Sequence, residues 1–228
     1  MPVKDNYAEL LKNVDKACQR AKRKTADVQI LAVCKNQSVE RIKEAYACGI
    51  RLMGENRTQE AEQHQPALVL CDIEWHFIGK LQKNKINKIL STFAFIQSVD
   101  GIKTLEHIHK RVDQPVPVFV EINVGEEKSK SGFTIEGLRK ALAYISRLDK
   151  VRITGLMAIP PFFEDPENSR PYFARIREFG DEINRLDIGN CRIERLSMGM
   201  SHDYVVAIEE GANLVRIGTA LFGRRRAE

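Results

Sequence analysis

Val116-Pro117-Val118-Phe119-Val120-Glu121-Ile122-Asn123-Val124 is the clearest strand in this chain, dense in β-branched residues. It opens into a polar loop, Gly125 to Gly132, and then into a stretch with Ile135, Leu138, Leu142 and Ile145 at helical spacing. Ile153-Thr154-Gly155-Leu156-Met157-Ala158-Ile159 follows as another apolar strand. A strand, a crossover helix and a second strand form a βαβ unit, in which the strands run parallel. Whether that unit repeats decides the fold.

It repeats in both directions. Upstream, Tyr7, Leu10, Leu11, Val14, Ala17, Cys18 and Ala21 stripe one face of a helix over about Asp5 to Lys24. Gln29-Ile30-Leu31-Ala32-Val33-Cys34 is an apolar run closed by Lys35. Ser38 is placed to cap the next helix and Gly49 to stop it. Ile50 to Met53 reads as the second strand, ending in Gly54-Glu55-Asn56-Arg57; Ile73 to Ile78 reads as the third and Ala94 to Val99 as the fourth. Ile102, Leu105, Ile108 and Val112 mark the helix after it. Downstream, Asp165-Pro166-Glu167 starts a long helix, with Asp as cap and Pro at the first helical position. Ile193 to Met198 is the seventh strand, a helix runs from Ser201 to Gly211, and Asn213 to Ile217 is the eighth strand.

Eight strands, each with its helix or helical turn, predict an α/β chain folded as one (β/α)₈ TIM barrel over residues 1–228, with an extra N-terminal helix. An open doubly wound sheet is the alternative. It rarely needs eight regular units, and no Gly-rich dinucleotide fingerprint follows the first strand.

Composition narrows the function classes. The chain has 228 residues and a formal net charge of +5, and its five cysteines lack metal-type spacing. They read as free thiols in a reducing cytoplasm. No apolar run approaches the roughly 18 residues of a membrane span, and the polar N-terminus lacks a signal-peptide apolar region. Lys80, Lys83, Asn84, Asn87 and Lys88 would share one helix face, and Arg224-Arg225-Arg226 adds a basic tail. Without interleaved aromatic residues this reads as a solvated face with weak anion attraction, not a nucleic-acid surface.

In a barrel of this kind functional groups gather at the C-terminal strand ends, and phosphates bind after strands seven and eight. Ser197-Met198-Gly199-Met200-Ser201 and Arg216-Ile217-Gly218-Thr219 fall there. Taken singly, Ser201 reads equally as a helix cap and Gly218 as a turn glycine. Lys35 on the same rim changes the reading: an amine emerging from an apolar strand attacks aldehydes. A lysine, an arginine and two Gly/Ser/Thr turns suit an aldehyde cofactor carrying a phosphate, pyridoxal 5′-phosphate (PLP). A guanidinium stays protonated, so if Arg216 faces the pyridine nitrogen the ring is a weaker electron sink than one paired with a carboxylate. That suits holding the cofactor better than demanding catalysis.

Six ordered motifs span the chain: Leu31-Ala32-Val33-Cys34-Lys35, Gly54-Glu55-Asn56-Arg57, Trp75-His76-Phe77-Ile78-Gly79, Ser129-Lys130-Ser131-Gly132, Ser197 to Ser201, and Val215 to Gly223. Together they resemble the pyridoxal phosphate homeostasis protein family, itself similar to the N-terminal barrel of alanine racemase. The resemblance implies that Lys35 forms the imine and Arg216 partners the pyridine nitrogen. It implies that Ser201, Gly218 and Thr219 hold the phosphate, with Met200 in the same turn and Asn56 beside the ring. It also implies a cofactor-binding protein that balances vitamin B6 and amino-acid pools without established catalytic activity. PLP-dependent apo-enzymes would then be its recipients.

This chain departs from the family pattern at Cys34 and Asn36, where Ser and Thr are usual, and at Lys80. Cys34 is either an oxidation-sensitive thiol near the site or a small buried hydrophobe. His76 is placed either at the barrel mouth or as a structural histidine. Lys128 and Lys130 would attract a second cofactor molecule or lie in a solvated loop.

Two rival classes predict other behaviour. A PLP-dependent amino-acid racemase needs a second base opposite the lysine. The added β-domain that supplies it is expected to be absent, and a tyrosine (Tyr7, Tyr46, Tyr144, Tyr172 or Tyr204) would have to substitute. A phosphosugar-binding barrel would bind its ligand regardless of Lys35. Without the second domain, a monomer is expected.

Overall fold

The computed structural model describes residues 2–69, 72–127 and 129–223. Eight parallel strands close into a barrel in sequence order: β1 (Gln29–Val33), β2 (Leu52–Glu55), β3 (Glu74–Phe77), β4 (Phe95–Val99), β5 (Val116–Ile122), β6 (Val151–Ala158), β7 (Cys191–Met200) and β8 (Leu214–Ile217). β8 pairs with β1 through Gln29 opposite Leu214 and Leu31 opposite Arg216, so no sheet edge is left open. The helices are α1 (Val3–Arg20), α2 (Val39–Ala47), α3 (Thr58–Ala67), α4 (Ile86–Thr92), α5 (Ile102–His109), α6 (Ile135–Ile145), α7 (Arg170–Arg185), α8 (Tyr204–Glu209) and α9 (Thr219–Phe222). The barrel and the extra N-terminal helix are as expected.

Alternation along each strand splits the core in two. Outward apolar side chains such as Met53, Ile96, Val118 and Ile217 pack under the helices in one continuous shell. Inward ones form a separate cluster of Leu31, Phe119, Met157 and Leu214 with Val33, Leu52, Ile78 and Phe95 around it. Polar groups thread this inner cluster: His76, Gln97, Ser197 and Arg216 are all buried.

Local signals act where expected at several ends. Ser38 accepts a hydrogen bond from the Arg41 N–H, Thr134 accepts from Gly137, and Gly49 stops α2 at φ 101°. Three expectations need correction. Asp165-Pro166-Glu167 opens a short 3₁₀ turn, Pro166–Ser169, and α7 proper begins at Arg170. The basic stripe does not share one helix face: Lys83–Lys85 is a 3₁₀ turn and α4 begins only at Ile86, so a tighter period precedes the helix. The helix expected from Ser201 begins at Tyr204, because Asp203 is its N-cap residue and takes the Met200 N–H at 2.7 Å.

Candidate functional site

The strand C-termini open on one face of the barrel. Lys35 lies just past β1, on the inward side of the alternation that places Leu31 and Val33 in the inner cluster, and it is half-buried. The backbone around it is held at both sides. Cys34 N–H donates to Gly54 at 2.9 Å, and Gln37 N–H donates to Cys34 O at 2.9 Å. Asn36 adopts φ 57°, and its N–H reaches Glu60 Oε2 at 3.0 Å; asparagine tolerates this left-handed conformation better than most residues. Cys34 is fully buried, and burial pushes its thiol well above the usual value, so it is the buried hydrophobe of the two readings.

A buried pair pins this loop from below. Glu55 Oε1 lies 2.7 Å from His64 Nδ1, and the His64 Nε2–H donates to Gln37 O at 3.1 Å. The hydrogen bond to Glu55 raises the His64 pKa.

Arg216 on β8 is buried inside the barrel. Its NH1 donates to Ser197 O at 2.6 Å and Ser197 Oγ at 2.8 Å, and its NH2 donates to Ala158 O at 3.0 Å. Burial lowers its pKa to about 10, which leaves it cationic at neutral pH.

The two late turns form one structure. Ser201 Oγ accepts from the Gly218 N–H at 3.2 Å and the Ala220 N–H at 3.1 Å. Ser201 therefore faces the β8 turn, at the N-terminus of α9, rather than starting a helix of its own. Gly199 shapes the approach: at φ 89° a Cβ would lie 2.5 Å from Ala207 Cβ. Met200 is 38% exposed beside this turn, and Thr219 faces solvent. Asn56, at the end of β2, is fixed by close backbone contact, since a Cβ on Gly79 would stand 2.0 Å from Asn56 O.

Asn56 also lines a cavity of about 290 Å³ at the mouth, together with Ser98, Asp100, Glu121, Asn123 and Met157. Burial, with Asp100 nearby, raises the Glu121 pKa. Sequence reading passed over Ser98, Asp100, Glu121 and Asn123. The signal available was a charge at alternate position inside the apolar run Val118 to Ile122.

The remaining expectations divide. His76 points into the barrel rather than the mouth and is fully buried. His202 Nε2–H donates to Phe163 O at 3.0 Å and ties the loops after β6 and β7 together. Lys130 pairs with Glu127 at 2.6 Å and donates to Pro160 O at 3.2 Å, which makes it a tethered side chain rather than a free cation. Lys128 and the Arg224-Arg225-Arg226 tail lie outside the described residues.

These parts fit a phosphorylated aldehyde. The strand C-termini carry a half-buried amine, a buried guanidinium and a turn whose N–H groups converge on a serine hydroxyl, and none of the three lines the cavity beside Asn56. The family described as alanine racemase, N-terminal domain, matches residues 6–226. That match defines the class, a barrel of the alanine racemase N-terminal kind. A protein of Aquifex aeolicus named pyridoxal phosphate homeostasis protein is 43% identical over 225 residues, covering 97% of this chain and 98% of the relative. The chain belongs to the pyridoxal phosphate homeostasis protein family. Among solved structures, PipY of Synechococcus elongatus with PLP bound is 35% identical, with a TM-score of 0.83 over 97% of this chain and all of that one. Alanine racemase of Clostridium difficile shares the fold at 16% identity and a TM-score of 0.73; this chain covers 58% of its length.

Proposed function

We propose that this chain binds PLP at the barrel mouth and passes it to apo-enzymes that use it, as part of intracellular vitamin B6 and amino-acid homeostasis, without robust turnover. The carrying observation is the joining of Ser201 to the Gly218–Ala220 turn, on the rim shared by Lys35 and Arg216. The relatives' names and the PLP-bound PipY support the same ligand. When bound, the cofactor supplies an aldehyde and an electron-withdrawing ring.

Lys35 Nζ is the attachment atom. Ser201, Gly218 and Thr219 hold the phosphate, Met200 borders it, and Asn56 flanks the ring. Arg216 donates to the ring nitrogen and cannot protonate it, which favours holding over catalysis. Four of the five tyrosines are engaged elsewhere. Tyr46 and Tyr144 donate to Asp72 and Glu106 on the outside, Tyr172 packs on Phe163, and Tyr204 is buried. Arg216 bonds to Ser197 and Ala158 and to none of these four.

The test is the visible spectrum of the purified chain with PLP, then borohydride reduction and peptide mass mapping. The expected result is a visible band and label fixed on the Lys35 peptide, both lost in Lys35→Ala. Label spread over surface lysines overturns the site. Activation of a PLP-dependent apo-enzyme by the loaded chain checks the delivery half, and robust racemase turnover abolished by Lys35→Ala would replace the carrier reading.

We also read the chain as a monomer acting in the cytoplasm. Away from the mouth, where Ile159, Phe162 and Met200 lie, its exposed apolar residues are dispersed: Leu11 on α1, Val69 after α3, Tyr144 on α6 and Leu186 after α7. Obligate interfaces gather such residues into one patch. Light scattering should give the mass of one chain, and a stable dimer at low concentration refutes this. Cys18, Cys34, Cys48 and Cys191 are free thiols, in keeping with a reducing compartment. Among the described residues no helix is long and apolar enough to cross a membrane.

A further inference from the structure

Inside the barrel, polar side chains from four strands join into one hydrogen-bonded chain that ends on Arg216. Glu74 Oε1, at the start of β3, lies 2.8 Å from His76 Nε2 and 3.0 Å from Arg195 NH1. His76 Nδ1 lies 2.8 Å from Gln97 Nε2 on β4. Gln97 Oε1 lies 2.6 Å from Ser197 Oγ on β7, a residue 100 positions away in sequence. Ser197 Oγ takes the NH1 of Arg216 on β8 at 2.8 Å. His76, Gln97 and Ser197 are fully buried, whereas the Glu74 and Arg195 side chains are 34% and 25% accessible at the barrel floor.

The direction of every link follows from its ends. The hydrogen bond from His76 leads the causes that hold the Glu74 carboxyl down to about 2, so Glu74 is an anion that only accepts. His76 Nε2 therefore carries the proton and donates. Burial holds the His76 pKa below its usual value, which keeps the ring neutral and leaves Nδ1 as an acceptor. The Gln97 amide nitrogen must then face His76, and its oxygen must face Ser197. Ser197 gives its hydroxyl hydrogen to Gln97 and receives one from Arg216, which can only donate. All four links run the same way, from guanidinium to carboxylate, and such alignment strengthens each bond. No carboxylate pairs with Arg216 directly among the described residues; Asp203 and Glu121 act on it only at longer range.

We propose that Glu74, His76, Gln97 and Ser197 are positioning residues that set the orientation of Arg216 from the far end of the barrel. The inference rests on the reading that Arg216 faces the ring of bound PLP. Two backbone carbonyls also hold the guanidinium, so the chain adjusts the site rather than creating it.

The test uses the full chain with PLP as the probe. Glu74→Gln removes the terminal charge at an accessible position, and Gln97→Leu cuts the middle. Glu74→Gln is expected to weaken PLP binding by about threefold and to displace the visible band, while competition by inorganic phosphate stays unchanged. In the unaltered protein, the His76 ring ¹⁵N resonances should move on PLP addition. Gln97→Leu should abolish that movement. A Glu74→Gln variant with unaltered band and affinity overturns the proposal. So does a His76 signal that ignores PLP while the band is present, a result that does not depend on either variant folding. If the unaltered protein gives no band, the cofactor reading itself fails, and this inference fails with it.

Discussion

Glu55 and His64 show how one buried pair can serve a residue it does not touch. Glu55 is fully buried and His64 nearly so, and their contact places the His64 ring under the Gln37 carbonyl of the Lys35 loop. The His64 pKa is raised by its bond to Glu55, and the Glu55 pKa is raised chiefly by burial. For a histidine raised above its unfolded value, the stability it contributes is present below the unfolded value, about 6.5, and is lost as pH climbs through the folded one. A carboxyl raised by burial has the same sign, because the unfolded chain releases its proton first. Unfolding free energy should therefore fall as pH rises above about 6.5, by an amount that the double variant Glu55→Gln/His64→Gln removes. Urea denaturation of both proteins across that range checks it; equal slopes would dismiss the pair as a source of stability. Neither member was legible in the sequence. Glu55 was quoted only as part of a motif, and nothing in residues 58–67 signals that His64 turns inward. Lys35, Ser201 and Arg216 were legible because each follows or ends an apolar strand, where strand direction alone predicts the mouth.

The ends of β2 and β3 meet backbone against backbone. Gly79 follows β3 closely enough to Asn56 that a methyl group would overlap the Asn56 carbonyl. Backbone cannot swing aside as a long side chain can, so Gly79→Ala must separate two strand ends that line the mouth. A loss of roughly 2–3 kcal/mol is expected from overpacking of this kind. Gly101→Ala is the control, since its methyl group would meet open space at an extended φ of −176° and should change stability by less than about 0.5 kcal/mol. Thermal or urea midpoints distinguish the two, and a neutral Gly79→Ala would mean the junction relaxes freely. Strands were easier to read than helices here. α3 has Thr-Gln-Glu-Ala-Glu-Gln-His-Gln-Pro-Ala, with no large apolar side chain and Pro66 inside its last turn, so no apolar stripe announced it. The stripe read from Lys80 to Lys88 assumed one helical period, whereas a 3₁₀ turn breaks it before Ile86.

At the scale of the molecule, closure is what brings the parts of the site together. β1 and β8 pair across the whole length of the chain, which puts Leu31 opposite Arg216 and Ala32 opposite Ile217 and brings Gly218 against Val33. α1 fastens the same seam: Asn6 Nδ2 donates to Leu221 O at 2.9 Å, and Arg23 NH1, beyond the helix, donates to Ile208 O and Ala212 O at 2.7 and 2.8 Å. By itself the sequence determined the repeat of strand and helix, the extra first helix, the parallel barrel and the residues at the strand ends. Those follow from local periodicity and from turn residues, which are written into neighbouring positions. Only the tertiary structure decided that Ser201 turns to Gly218 and Ala220, that Glu55 finds His64, and that Gln97 links His76 to Ser197 across the interior. Inward side chains of different strands meet according to barrel register and tilt, and a single strand's pattern of alternation carries neither.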